Sequence, residues 1–209
     1  VYRWHRLQTI PLEAQKPALI LSTYPGRPWQ MAHAVGLDVL ASAQSILEDL
    51  RHISAPLQKP LEVSLRQDKI KWTVEEYKNA LNQLPKNLQS ELFDAWGHIS
   101  DDSLVSDGAF NFSGLHIGGA VVALQPERSD PAHRDNDYHD ILRTPCHGYV
   151  AFYLWLQEAF EADAIIHVGA HGTLEWLPGK SVALSENCWP EVLTGNLPVI
   201  YPFIMNDPG

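Results

Sequence analysis

Ala18-Leu19-Ile20-Leu21-Ser22-Thr23, closed by Tyr24-Pro25-Gly26, is the stretch that decides the fold. A short apolar run ended by turn residues reads as a buried strand. Beyond it, Met31 to Leu50 places Val35, Val39, Ala43, Ile46, Leu47 and Leu50 near helical spacing. Strand, loop and helix in that order open an α/β unit. A second such strand is expected at Ala164-Ile165-Ile166-His167-Val168, followed by a glycine-rich turn and one helical turn at Thr173–Trp176.

The stretches between fill in the pattern. Leu61-Glu62-Val63-Ser64-Leu65, after Pro56 and Pro60, predicts a strand. Thr73 reads as a helix N-cap with Glu75 and Glu76 in the first turn, and Pro85 ends that helix. A further helix is expected from Asn87 to Trp96, closed by Gly97. Residues 98–113 are polar and loop-like. Leu115 to Leu124 predicts one buried strand in which Gly118 and Gly119 let another backbone approach. Gln125 to His147 lacks hydrophobic periodicity, and so long an ordered connection is usually functional. Tyr149 to Phe160 reads as an aromatic-rich amphipathic helix, and Leu197 to Ile204 as an edge strand interrupted by prolines. The expected class is α/β, mostly parallel strands with flanking helices, in two small lobes, 1–100 and 101–209.

Composition removes several functions. The 209 residues carry 25 acidic and 15 basic side chains, a net charge of −10, which argues against a basic nucleic-acid-binding surface. No apolar run approaches the roughly 20 residues of a membrane span, and no signal-peptide layout opens the chain. Cys146 and Cys188 cannot build a disulfide scaffold or a four-thiolate zinc site and read as small buried hydrophobes in a cytoplasmic protein. The chain opens at Val1 without an initiator Met and stops at Gly209 within loop-like sequence, which leads to the expectation that it is cut from something longer.

Ten histidines are many for this length, and six of them (His116, His133, His139, His147, His167 and His171) fall within 116–171. In His167-Val168-Gly169-Ala170-His171-Gly172-Thr173-Leu174-Glu175, a strand delivers His167 at its C-terminal end, the turn presents His171, and Glu175 follows. Ligands in open α/β sheets bind outside the carboxyl ends of the strands. Two imidazoles and a carboxylate suit a borderline divalent metal such as cobalt or zinc, and can accept protons. His167 alone reads equally well as a hydrogen-bonded structural residue; the neighbouring His171, Glu175 and glycines favour function. Gly179-Lys180-Ser181 lacks the upstream glycine of a phosphate-binding loop, because position 174 is leucine, so no ATP site is expected on this chain.

A second cluster joins Arg128, His139 and His147, where the guanidinium could hold a carboxylate and the imidazoles line a cleft; its bland alternative is a solvated charged loop. Trp176 offers a flat face to an aromatic ligand. The turn at Tyr24-Pro25-Gly26-Arg27 is a weaker anion-nest candidate.

The run from His167 through Lys180, with Cys188-Trp189-Pro190-Glu191 and Leu197 to Gly209, resembles the large CobN-type subunits of cobaltochelatase, a family related to the H-type large subunits of magnesium chelatase. The likeness continues in Leu124-Gln125-Pro126, Tyr138-His139-Asp140, Pro145-Cys146-His147-Gly148-Tyr149 and Ser22-Thr23-Tyr24-Pro25-Gly26-Arg27, weakening only between about 51 and 113. One departure is Ser129, where the family tends to carry glycine after the arginine. The resemblance implies a ligase that inserts cobalt(II) as substrate metal into a tetrapyrrole, a corrinoid precursor, during cobalamin biosynthesis. It further implies two smaller ATPase-motor subunits that bind ATP and magnesium. On that basis His167, His171 and Glu175 are expected to handle metal and protons, and Arg128, His139, His147, Trp176 and Lys180 to contact the macrocycle. The alternatives are a porphyrinoid-binding module without catalytic groups and an H-type magnesium-chelatase subunit acting on protoporphyrin.

Overall fold

The computed structural model describes residues 2–22, 33–34, 37–53, 57–129, 140–169, 174–179 and 184–202. Helix α1 (Tyr2–Thr9) precedes strand β1 (Pro17–Leu21); the short strands β2 (His33–Ala34) and β3 (Leu37–Asp38) pair with each other and lead into α2 (Val39–Asp49). There follow α3 (Leu61–Gln67), β4 (Lys69–Thr73), α4 (Val74–Leu81), α5 (Lys86–Trp96), β5 (Val105–Ser106), β6 (Ala109–Ile117) and β7 (Ala120–Leu124). The chain continues through α6 (His147–Glu158), β8 (Ala164–Val168), α7 (Trp189–Thr194) and β9 (Val199–Ile200).

Seven strands form one sheet in the order β4-β6-β7-β1-β8-β9, with β5 also on β6. The ladders joining β7, β1, β8 and β9 are parallel, and those joining β6 to β4, β5 and β7 are antiparallel. Within this sheet β6 therefore runs against the other strands, giving the α/β sheet of mostly parallel strands that the pattern implied. Strands β1 and β8 are buried along their whole length because helices cover both faces. One face packs Ala18, Ile20, Val121, Ala123 and Ile165 under α4, α5, α6 and α7; the other packs Leu19, Leu21, Val122, Ile166 and Val168 under α2 and α3. The boundary near residue 100 does not divide this sheet, since β1 lies between β7 and β8, and β4 pairs with β6.

Several local expectations change. Leu61–Leu65 is the start of a helix, because Leu61, Ser64 and Leu65 bury one helical face and Pro60 stands at the N-cap. The strand comes next, where Ile70 and Trp72 alternate with exposed neighbours. Helix α2 starts only at Val39, after Asp38 caps it by accepting from the Ala41 N–H at 3.0 Å. The stretch 115–124 is a hairpin, with Gly118 at φ +57° in its two-residue turn. Seven of the sixteen residues 98–113 are in strands, because Ala109, Phe110 and Phe112 supply buried side chains to β6. Helix α6 is buried from His147 to Leu156 on every side, not amphipathic, because it lies between the sheet and the helices α4 and α7. Thr73 does cap α4, in a full capping box with Glu76, and Gly97 does close α5 at φ +68°.

Candidate functional site

The four parallel strands β7, β1, β8 and β9 end side by side. Register pairs Leu21 with Leu124 and Val168, and Ile166 with Ile200. The chain stays in step one residue further, since the Gln125 N–H donates to Leu21 O and the Ser22 N–H to Val168 O, each at 3.0 Å. Alternation then puts Gln125, Ser22, His167 and Tyr201 on the sheet face that carries Ile20, Ala123 and Ile165. That face meets α6, which contributes Tyr149 and Tyr153 one turn apart. A layer of polar groups thus lies under the carboxyl edge of the sheet, where α/β folds bind ligands.

Its bonds run from strand to helix and back. Gln125 Nε2 donates to the Tyr153 hydroxyl at 2.7 Å and to the Tyr149 hydroxyl at 3.3 Å. Tyr153 Oη lies 3.3 Å from His167 Nε2. The His167 ring is stacked on Tyr201, with centroids 4.9 Å apart. Burial pushes the His167 imidazole down to about 3, so the ring is neutral near pH 7. Burial, followed by the neighbouring Tyr149 and Tyr201, raises the Tyr153 phenol well above its usual value. His167 Nδ1 and Ser22 Oγ are buried without a hydrogen-bond partner among the described residues. Gly169 stands at φ +152°, and a Cβ there would come within 2.6 Å of the Ser22 Cβ, so glycine is needed where β8 leaves the sheet.

The expected site residues separate on the structure. His167 is at the strand end as expected but only 2% exposed, and burial lowers its proton affinity. Arg128 is buried; its guanidinium donates to the backbone carbonyls of Trp176 and, at 2.8 Å, of Asp140, bracing these loops together. Trp176 is half-buried beside that brace. His147 is a core residue rather than a cleft wall: its Nδ1 accepts from the Tyr77 hydroxyl at 2.9 Å and its Nε2 donates to Gly97 O at 3.2 Å. The physical reason is that it opens α6, whose first turn is enclosed by α4 and α5. His139, His171, Lys180 and the side chain of Glu175 lie outside the described residues, as does the turn at 24–27. Among the described residues no group of three or more His, Cys, Asp or Glu is arranged to hold a metal.

Sequence reading passed over Tyr149, Tyr153, Ser22 and Tyr201 as members of this layer. Two tyrosines at i and i+4 in an otherwise apolar helix were the available signal, since buried phenols need partners. Asp102 was passed over as well. It crosses from the segment after α5 to accept from the Gly148 N–H at 2.6 Å and the Leu104 N–H at 2.9 Å, capping α6 from a distance.

Comparison with known proteins agrees with this architecture. The chain is 39% identical to the aerobic cobaltochelatase subunit CobN of Pseudomonas aeruginosa, over 99% of this chain and 18% of that protein. It is 29% identical to the H-type magnesium-chelatase subunit of Chlorobaculum parvum, over 99% of this chain and 17% of that protein. The solved catalytic subunit of cobaltochelatase from Mycobacterium tuberculosis superposes with a TM-score of 0.79 at 31% identity, covering 99% of this chain and 19% of that one. The chain therefore spans about a fifth of the length of these relatives. A family model described as CobN/Magnesium Chelatase matches residues 1–209, and the chain belongs to that family.

Proposed function

We propose that this chain is a portion of the large subunit of an ATP-dependent cobaltochelatase, one that binds the tetrapyrrole and takes part in cobalt insertion. Over 99% of this chain, the identity to the CobN subunit, 39%, is higher than the 29% to the H-type magnesium-chelatase subunit, which supports the cobalt branch. The observation that carries the reading is the buried polar layer of Gln125, Tyr153 and His167 at the carboxyl edge of the sheet, with His171 and Glu175 following His167 four and eight residues later in the sequence. Insertion removes two protons from ring nitrogens and transfers cobalt(II) from its water ligands to the macrocycle. His171 supplies a transient nitrogen ligand or proton acceptor, and Glu175 balances the metal charge or takes a ring proton. His167, neutral and buried, closes the strand that precedes these residues in the chain. Partner subunits of the ATPase type bind ATP and magnesium, and the setting is cytoplasmic.

The test is His171→Ala and Glu175→Ala in the intact large subunit assayed with its partners. Cobalt insertion is abolished in each while thermal unfolding stays cooperative; turnover equal to the unsubstituted subunit overturns the assignment. The burial of His147 and His167 favours a second reading, a tetrapyrrole-binding module whose histidines are structural. On that reading both variants keep macrocycle binding, followed by tryptophan fluorescence, and keep insertion.

A further inference from the structure

We infer that Tyr153 is a positioning residue that fixes the tautomer of His167, placing the ring proton on Nδ1 and making that nitrogen a hydrogen-bond donor at the carboxyl edge of the sheet. The inference rests on the reading of this edge as the ligand site and concerns how His167 serves it.

Donor and acceptor roles follow from the order of the bonds. Gln125 Nε2 has two protons and gives one to each phenol oxygen, so both tyrosines receive from the amide. The Tyr153 hydroxyl still has its own proton, and His167 Nε2 lies 3.3 Å from its oxygen. If Nε2 carried hydrogen, the Tyr153 oxygen would face two donors, and its own proton would be left to compete for the Tyr149 oxygen. With the Tyr153 proton directed to Nε2, that nitrogen accepts. A neutral imidazole has one N–H, which is then on Nδ1.

The consequence is chemical. An Nδ1 that carries a proton presents no lone pair to a metal, and Nε2 is occupied by Tyr153. His167 is then a neutral donor rather than a cobalt ligand. Its Nδ1, without a partner among the described residues, shares a sheet face with the Ser22 hydroxyl on the adjacent strand, which likewise has none among them. Two uncharged donors fit an acceptor oxygen such as a ligand carboxylate, which they can bind in a buried place without bringing a cation along.

Ring-15N histidine in this chain tests the inference by long-range proton–nitrogen NMR at pH 7, with the His167 signals assigned by their loss in His167→Asn. The expected spectrum has a protonated Nδ1 and an unprotonated Nε2. Tyr153→Phe shifts the ring toward the Nε2–H form, whereas Tyr149→Phe leaves it unchanged. An Nε2–H ring in the unsubstituted chain, or an unchanged tautomer in a folded Tyr153→Phe chain, overturns the inference. If Tyr153→Phe does not fold, the unsubstituted spectrum still decides where the proton is. In the full-length protein, His167→Asn keeps a donor at the Nδ1 position and retains insertion within about tenfold, about 1.4 kcal/mol, while His167→Leu loses at least ten times more. Equal loss in both rejects the donor role. Full activity in both removes this edge from the proposed function and leaves the tautomer result standing.

Discussion

The imidazole of His167 and the phenol ring of Tyr201 lie face to face, with planes only 6° apart. The stack joins β8 to the strand at the sheet edge, where the β9 ladder registers only Ile165 with Val199 and Ile166 with Ile200. It covers one face of the imidazole.

Tyr201→Ala removes that cover. A lost aromatic contact of this kind costs about 1 kcal/mol. Hydration also moves the His167 titration up from about 3 toward the ordinary histidine value. Urea unfolding reads the first effect and an NMR titration of the ring the second; a His167 that stays as depressed as before shows that Tyr201 does not shield it.

Acid weakens the fold. His52, His147 and His167 all have proton affinities lowered by burial, so the unfolded chain binds protons that the native chain does not. Their contribution is complete above about pH 6.5 and declines as pH falls, with His167 continuing toward about 3. Each proton taken up on unfolding gives a slope of up to about 1.4 kcal/mol per pH unit. Urea midpoints at pH 8, 7, 6 and 5 should be level between the first two and then drop. Equal midpoints at pH 7 and 5 contradict this.

Asp102→Ala leaves the Gly148 and Leu104 N–H groups without their acceptor. Unpaired buried donors cost about 1–3 kcal/mol, and Asp102→Asn, which keeps one acceptor oxygen, loses less. Because α6 carries Tyr149 and Tyr153, hydrogen exchange should rise along its first turn in the alanine variant. Exchange that is unchanged there would mean the cap does not hold α6.

Asp163→Ala frees α1. The carboxylate is 1% exposed, accepts from the Lys16 N–H at 2.9 Å and pairs with Arg6 on α1, a helix with no buried residue of its own. Loss of the Lys16 acceptor alone costs about 1–3 kcal/mol. Amide exchange across residues 2–9 should approach that of a free segment, while exchange in β1 rises only slightly; continued protection of α1 would show that other contacts secure it.

The parts legible in the sequence were those whose signal is local. Apolar runs, uninterrupted in β1 and broken only by His167 in β8, identify these strands, because strands covered on both faces need no alternation. Thr73 with Glu76, and Gly97, marked helix ends through side-chain chemistry confined to one turn. His167 was found because a polar residue closed an apolar strand. Leu61–Leu65 was misread because five residues are too few to separate period 2 from period 3.6. The amphipathic reading of Tyr149–Phe160 failed because enclosure on all sides is a property of the neighbours.

By itself the sequence determined the α/β class, the strand end that carries His167 and the likeness to chelatase large subunits. Only the tertiary structure decided that Gln125, Ser22, His167 and Tyr201, far apart along the chain, share one face of one edge, and that α6 sets Tyr153 against them. It also decided that His147 and Arg128 brace the fold. Register and burial are set by which strands become neighbours, and parallel neighbours are joined by long crossovers that leave no local trace. A histidine's proton affinity follows from that burial, so its chemistry could not be read from its place in the chain.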